Sequence, residues 1–148
     1  MNEIEAAIVM EQALIALTAL IFLEARGEPE MGQLAVAHVV LNRTQKPELY
    51  GDGVLGVITR PHQFTPMKYE YRAVARLQAM DPVAYHDCQN VARMALAGLT
   101  EDPTDDIGGA THFWAVWSTE PRWAKHAVAT KRIGRHIFAR LKQDNEST

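Results

Sequence analysis

Leu23-Glu24-Ala25-Arg26-Gly27-Glu28-Pro29-Glu30 is the stretch on which the fold turns. Upstream of it, Leu14, Leu17, Ile21 and Glu24 recur at spacings of three and four, which predicts one apolar helical face over about Glu5 to Arg26. Gly27 offers a left-handed C-cap, and Pro29 prevents the helix from continuing. Pro29 also suits the first turn of a second helix, to about Thr44, with Met31, Leu34, His38 and Leu41 on one stripe and Val36, Val39 and Val40 widening it. A carboxylate that continues an apolar stripe is chemically notable, because burying its charged form is costly. Burial and the negative end of the helix dipole would both raise the pKa of Glu24. A carboxyl group that keeps its proton near neutral pH is what protonation of a glycosidic oxygen requires. The plain alternative is a solvated glutamate in the last helical turn. Glu28 is the natural second carboxylate, but it lies past the helix end, so no shared face with Glu24 follows.

Downstream, Lys46 to Met67 reads as irregular, punctuated by Pro47, Gly51, Gly53, Gly56, Pro61 and Pro66, with Val54 to Thr59 a short strand or a helical turn. A third helix is expected over Tyr69 to Met80. A fourth has Asp81 as N-cap and Pro82 at its first position, and ends near Gly98. Glu101 to Gly109 is a loop. Thr111 to Trp117 is aromatic and β-prone, and Ile133 to Leu141 can pair with it. Helices followed by a small β element predict an α+β, mainly helical chain. Its 148 residues suit one domain, residues 1–148.

Composition narrows the function classes. The net charge of -3 argues against a nucleic-acid binder. Arg122, Lys125, Lys131, Arg132, Arg135, Arg140 and Lys142 nevertheless form a basic C-terminal segment, either a solvated surface or one that approaches an anionic envelope. Cys88, the single cysteine, excludes an internal disulfide and reads as a buried structural thiol. The acidic start lacks the positive charge of a secretory signal, and the uncharged run Ala13 to Leu23 is shorter than the about 20 residues of a bilayer span. Synthesis in the cytoplasm without stable membrane insertion is therefore expected. The six histidines are scattered with no His-Glu-x-x-His run, so neither a metal nor another cofactor is expected. His38 on an apolar stripe reads as a core histidine.

The blocks Leu23-Glu24-Ala25-Arg26-Gly27-Glu28, Gly32-Gln33-Leu34-Ala35-Val36-Ala37 and Val40-Leu41-Asn42-Arg43 resemble the SleB/CwlJ cell wall hydrolase family, which groups spore cortex-lytic enzymes with phage endolysins. The likeness continues in the same order through Gln63-Phe64-Thr65, Asp102-Pro103-Thr104, Gly109-Ala110, Phe113, Trp123 and Ile133-Gly134-Arg135-His136-Ile137-Phe138. It implies a lysozyme-like fold with Glu24 as general acid. It also implies lytic transglycosylase activity, which cuts glycan strands between N-acetylmuramic acid and N-acetylglucosamine and leaves 1,6-anhydro ends. Glu28, Gln63, Phe64, Thr65, His112, Phe113 and Trp123 are the expected substrate-binding residues. Trp114 and Trp117 are either further sugar-stacking faces or packing. One departure stands out. Members often read Gly-Ala-Leu-Tyr-Phe before a polar-proline turn, whereas this chain has Gly109-Ala110-Thr111-His112-Phe113, placing His112 at the tyrosine-like position.

The expected partner is peptidoglycan, reached after holin-dependent release from the cytoplasm in a phage setting. Three alternatives remain open at this point: a muramidase or glucosaminidase that uses water, a zinc amidase of the peptide stem, and a non-catalytic wall-binding domain.

Overall fold

Asn2 opens the first helix: its side chain accepts a hydrogen bond from the Glu5 backbone N–H at 2.8 Å, satisfying one of the free donors of the first turn. In this computed structural model, which describes residues 1–61, 63–64, 72–98 and 107–142, helix α1 spans Glu3–Ala25. Helix α2 spans Glu30–Thr44, with Pro29 as its N-cap residue. Two short helices follow, α3 (Pro47–Tyr50) and α4 (Gly53–Thr59), then α5 (Val74–Met80) and α6 (Pro82–Leu96). Asp81 caps α6 as its sequence predicts, accepting from the Ala84 N–H at 3.1 Å.

The second half of α1 is buried on every side. Leu17, Leu20 and Ile21 are wholly inaccessible, and Phe22 nearly so. A helix that is apolar all round belongs inside a fold, and α1 touches α2, α4, α5 and α6. Val36, Val39 and Val40 of α2 face it from one side, and from another Tyr85 packs its ring 5.9 Å from that of Phe22. Full burial of each large side chain contributes about 1.5–3 kcal/mol. This part of the core therefore fixes where α1 ends, and with it where Glu24 stands.

Its first half is different. Residues 1–12 are exposed, among them Ile4, Ile8, Val9 and Met10. By length and composition α1 matches a membrane span, with a mean hydropathy of 2.2 over its most apolar window. This corrects the expectation drawn from the uncharged run alone, because Glu3, Glu5 and Glu11 do not interrupt the helix. That window is 44% buried within the domain, its N-terminal part exposed and its C-terminal part packed in the core.

The sheet has three antiparallel strands in the order β1-β3-β2: β1 His112–Ala115, β2 Ala127–Ile133 and β3 His136–Leu141. The pairing of β1 with β3 runs His112↔Ala139 to Ala115↔His136, as the aromatic run and its partner predict. Strand β2 and the 3-10 turn Arg122–His126 were not anticipated. A bulge interrupts β2 between Ala129 and Lys131. At that bulge the Thr130 hydroxyl donates to the Ile107 carbonyl, tying the approach to β1 onto the sheet.

Three other expectations are corrected. The stretch after Lys46 is not wholly irregular: Pro47 starts a short helix that was not expected, and Val54 to Thr59 takes the helical of its two expected forms. Gly27 does not adopt a left-handed cap: the C-cap is Arg26, in right-handed helical geometry, and Gly27 has no positive φ. Gly27 answers a close approach instead, since a β-carbon there would stand 2.9 Å from Nη2 of Arg135. Of the Tyr69–Met80 expectation, Val74–Met80 is helical, and 69–71 lie outside the described residues.

Candidate active site

Glu24 occupies the last turn of α1, where the helix leaves the core. Its side chain is partly buried, and burial raises its pKa above the ordinary carboxylate value. Among the described residues it forms no hydrogen bond or ion pair that would stabilise the anion. The carboxyl lines a cleft of about 320 Å³ whose other walls are Arg43, Gln63, Phe64, His112, Phe113 and Trp123.

Five side chains named from sequence as substrate-binding thus meet Glu24 in one place: Gln63, Phe64, His112, Phe113 and Trp123. Thr65 lies outside the described residues. Glu28 is not in the cleft. Its side chain is 5% exposed and turns to the β2–β3 hairpin, where Oε1 accepts from the Arg135 backbone N–H at 2.8 Å and Oε2 from Nε of Arg135 at 3.4 Å. Nδ1 of His136 lies 3.6 Å from Oε1 without a hydrogen-bond partner. Burial holds the His136 ring below its ordinary pKa, with Glu28 opposing that shift and Arg135 adding to it. Gln33 secures the elbow from within, its amide donating to the carbonyl of Ala25 at 3.2 Å.

Arg43 lines the cleft as well, a site residue beyond those expected from the sequence alone. It lies in the last turn of α2 as a buried cation, 4% exposed. Nε donates to the Thr111 carbonyl at 2.7 Å, and Nη1 donates to Oε1 of Gln63 at 3.0 Å. The guanidinium plane lies 4.5 Å from the Phe64 ring centre and 5.1 Å from that of Tyr50. Desolvation lowers its pKa to about 10, so it stays charged at neutral pH. One cation therefore holds both walls of the cleft, the Gln63-Phe64 side and the β1 side. The signal in the sequence was an arginine three residues after the apolar pair Val39-Val40 near the end of the helix.

His112 meets the cleft as a neutral ring. Burial, aided by the charge on Arg43, lowers its pKa to about 4. Its Nδ1 pairs with the Thr111 hydroxyl at 2.9 Å, and its ring lies 4.6 Å from that of Trp123 and 6.1 Å from that of Tyr50. Trp114 packs edge-on behind Trp123 at 5.5 Å. Trp117 is 65% exposed, stands outside the cleft and lies under the Arg135 guanidinium. Among the described residues no group of three or more His, Cys, Asp or Glu side chains is placed to hold a metal.

A half-buried acid at a helix end, above an aromatic-walled cleft in a mainly helical domain, gives the layout of a lysozyme-like enzyme. The relationships agree with that class. Residues 27–139 match the family described as Cell Wall Hydrolase, and the chain belongs to that family. Glu24 lies just before the matched stretch.

The chain is 39% identical over 115 residues to a spore cortex-lytic enzyme of Halalkalibacterium halodurans, covering 78% of this chain and 31% of that protein. It is 36% identical over 117 residues to the spore cortex-lytic enzyme of Bacillus subtilis, covering 78% and 33%. It thus spans about a third of the length of these relatives. The crystal structure of the catalytic domain of the Bacillus cereus SleB protein superposes with a TM-score of 0.64 at 27% identity, covering 88% of this chain and 91% of that one. The catalytic domain of the germination-specific lytic transglycosylase SleB from Bacillus anthracis gives the same score and identity, covering 87% and 94%.

Proposed function

We propose that this chain cleaves the glycan strands of peptidoglycan as a lytic transglycosylase, with Glu24 as its acid and base. The observation that carries this is that Glu24 is the one carboxyl among the described residues lining the cleft. Burial raises the pKa of Glu24 and so favours its protonated form, and Glu28 is committed to the hairpin. Glycosidases that use water ordinarily place a second carboxylate about 5–9.5 Å from the first. Among the described residues lining the cleft there is none.

An intramolecular nucleophile removes that need. Glu24 donates its proton to the bridging oxygen, and the bond from the muramic anomeric carbon to that oxygen breaks. The 6-hydroxyl of the same sugar attacks the anomeric carbon, and the Glu24 carboxylate takes the hydroxyl proton, which regenerates the acid. A nucleophile carried on the reacting sugar gains a large proximity advantage. Trp123, His112 and Phe113 offer faces and edges for pyranose rings, and Gln63, held by Arg43, offers an amide for sugar hydroxyls or acetamido groups.

Mass spectrometry of digested sacculi tests the reading. Muropeptides with 1,6-anhydro ends from the wild type and none from Glu24→Gln are expected. Reducible ends would transfer the reaction to water. Soluble products from Glu24→Gln equal to those of the wild type would end the proposal. The finer setting we propose is a phage lytic enzyme that reaches the wall through a holin. Cytoplasmic expression should then lyse a host only when a holin is present, and lysis without one would refute that setting.

A further inference from the structure

A second cavity, of about 410 Å³, lies behind the β1 wall of the cleft. Lys46, Arg140 and Lys142 line it together with Tyr50 and Thr111, and among the described lining residues there is no carboxylate. The cations stand on anchored backbone. The Lys46 N–H donates to the Arg43 carbonyl at 3.0 Å, and the Lys142 N–H donates to the His126 carbonyl at 2.8 Å, fastening the end of β3 to the turn that carries Trp123.

Tyr50 and Thr111 on the cavity side and His112 on the cleft side form the partition between the two. Tyr50 lines the cavity, and its ring is 6.1 Å from that of His112, which lines the cleft. Thr111 lines the cavity and holds Nδ1 of His112 with its hydroxyl. A muramic sugar bound in the cleft carries a peptide on its lactyl ether. An extended peptide advances about 3.3–3.6 Å per residue, so a stem of several residues is longer than the side-chain partition between cleft and cavity is thick. Stem peptides bear free carboxylates on their acidic and terminal residues. Clustered ammonium and guanidinium groups are the complement of such anions.

We propose that this cavity is a carboxylate-binding subsite that receives the stem peptide of the strand being cut, so that the enzyme reads peptide as well as sugar. The proposal rests on the glycan-cleaving reading for its substrate but not for its chemistry. It also gives Arg140 and Lys142 of the basic segment a specific task, rather than a diffuse attraction to the envelope.

The test is an NMR titration of the whole chain with a soluble stem tetrapeptide, with the same peptide amidated at its carboxylates, and with glycerol phosphate as the probe for envelope phosphates. The free-acid peptide should move the backbone amides of Lys46, Thr111 and Lys142, and the amidated peptide should not. Lys46→Gln/Lys142→Gln should weaken the peptide about tenfold. It should also lower, by a similar factor, the ratio of kcat/KM on peptide-bearing strands to that on peptide-free strands. Equal shifts from free-acid and amidated peptide, a response to glycerol phosphate alone, or an unchanged ratio would each overturn the proposal. Should the wild type cut neither strand while the free-acid shifts persist, the glycan-cleaving reading falls and the anion subsite stands.

Discussion

The Glu28 carboxylate accepts a hydrogen bond from the Arg135 backbone N–H at 2.8 Å, joining the elbow between α1 and α2 to the β2–β3 hairpin across 107 residues of sequence. Gly134, with φ +56°, lets the hairpin turn beside it. A β-carbon there would sit 3.1–3.2 Å from the three carboxylate atoms. The elbow follows directly on Glu24, so this clasp sets the helix end that carries the acid. Glu28→Ala should lose about 1 kcal/mol in urea denaturation, from the hydrogen bond its buried carboxylate accepts from a solvent-exposed backbone donor. Gly134→Ala should lose about 1–2 kcal/mol, since the left-handed region penalises any side chain. Either variant matching the wild type would deny the clasp a structural role.

Glu24→Gln should lower kcat about 10²–10⁴-fold, the usual contribution of a positioned acid. Its effect on stability should have the opposite sign. A carboxyl whose pKa is raised on folding binds its proton more tightly in the native state. Stability therefore falls as pH rises from the unfolded value of 4.5 through the raised native value. Glutamine does not ionise, so Glu24→Gln should be at least as stable as the wild type at pH 7, with the advantage vanishing at pH 4. Thermal melts at both pH values measure this. A variant less stable than wild type at pH 7 and equal to it at pH 4 would contradict the burial of Glu24. In the wild type, activity should decline on the alkaline side as Glu24 loses its proton.

His112 gives the reverse slope. Its native pKa of about 4 lies below the ordinary 6.5 of a solvated imidazole, so the unfolded chain binds the proton first. The stabilisation from keeping this ring neutral is complete above about pH 6.5 and is lost as pH falls toward 4. His112→Phe should flatten the dependence over that interval, as measured by urea midpoints at pH 7, 5.5 and 4.5. An unaltered slope would mean that the ring is solvated in the folded protein.

How much of this was legible in the sequence depended on whether the signal was local. The run Asp81-Pro82 set the start of α6, and a polar-to-apolar rhythm set α2, because caps and periodicity are written into neighbouring residues. The β1–β3 pairing was legible from two β-prone runs. Strand β2 was not, because Lys131 and Arg132 disguise a strand whose burial pattern is mostly half-exposed. The meeting of Gln63, Phe64, His112, Phe113 and Trp123 around Glu24 came from family likeness; spacing alone does not bring residues 24, 63 and 123 together. The sequence also could not decide between two fates for Glu28. Facing the cleft and facing Arg135 differ only by the path of a hairpin more than a hundred residues away.

Arg43 makes the most demanding prediction, because a single buried cation bonds to the Thr111 carbonyl, to Gln63 and to the faces of Tyr50 and Phe64. Arg43→Lys keeps the charge but replaces a planar fork with a point donor, which cannot reproduce two divergent bonds and two stacked faces. It should cost about 1–3 kcal/mol. Its kinetic effect should fall mainly on KM, since Gln63 and the Thr111-His112 wall are loosened while the Glu24 carboxyl is untouched. Arg43→Met removes the charge and fills similar volume. It leaves the buried Thr111 carbonyl without its donor, so it should be no more stable than Arg43→Lys, and its loss should be larger on strands than in folding. Steady-state kinetics on purified glycan strands, alongside urea denaturation, separate the two effects. If Arg43→Lys lowers kcat with KM unchanged, Arg43 acts on the acid itself, and the two-walled anchoring argued from its bonds is wrong.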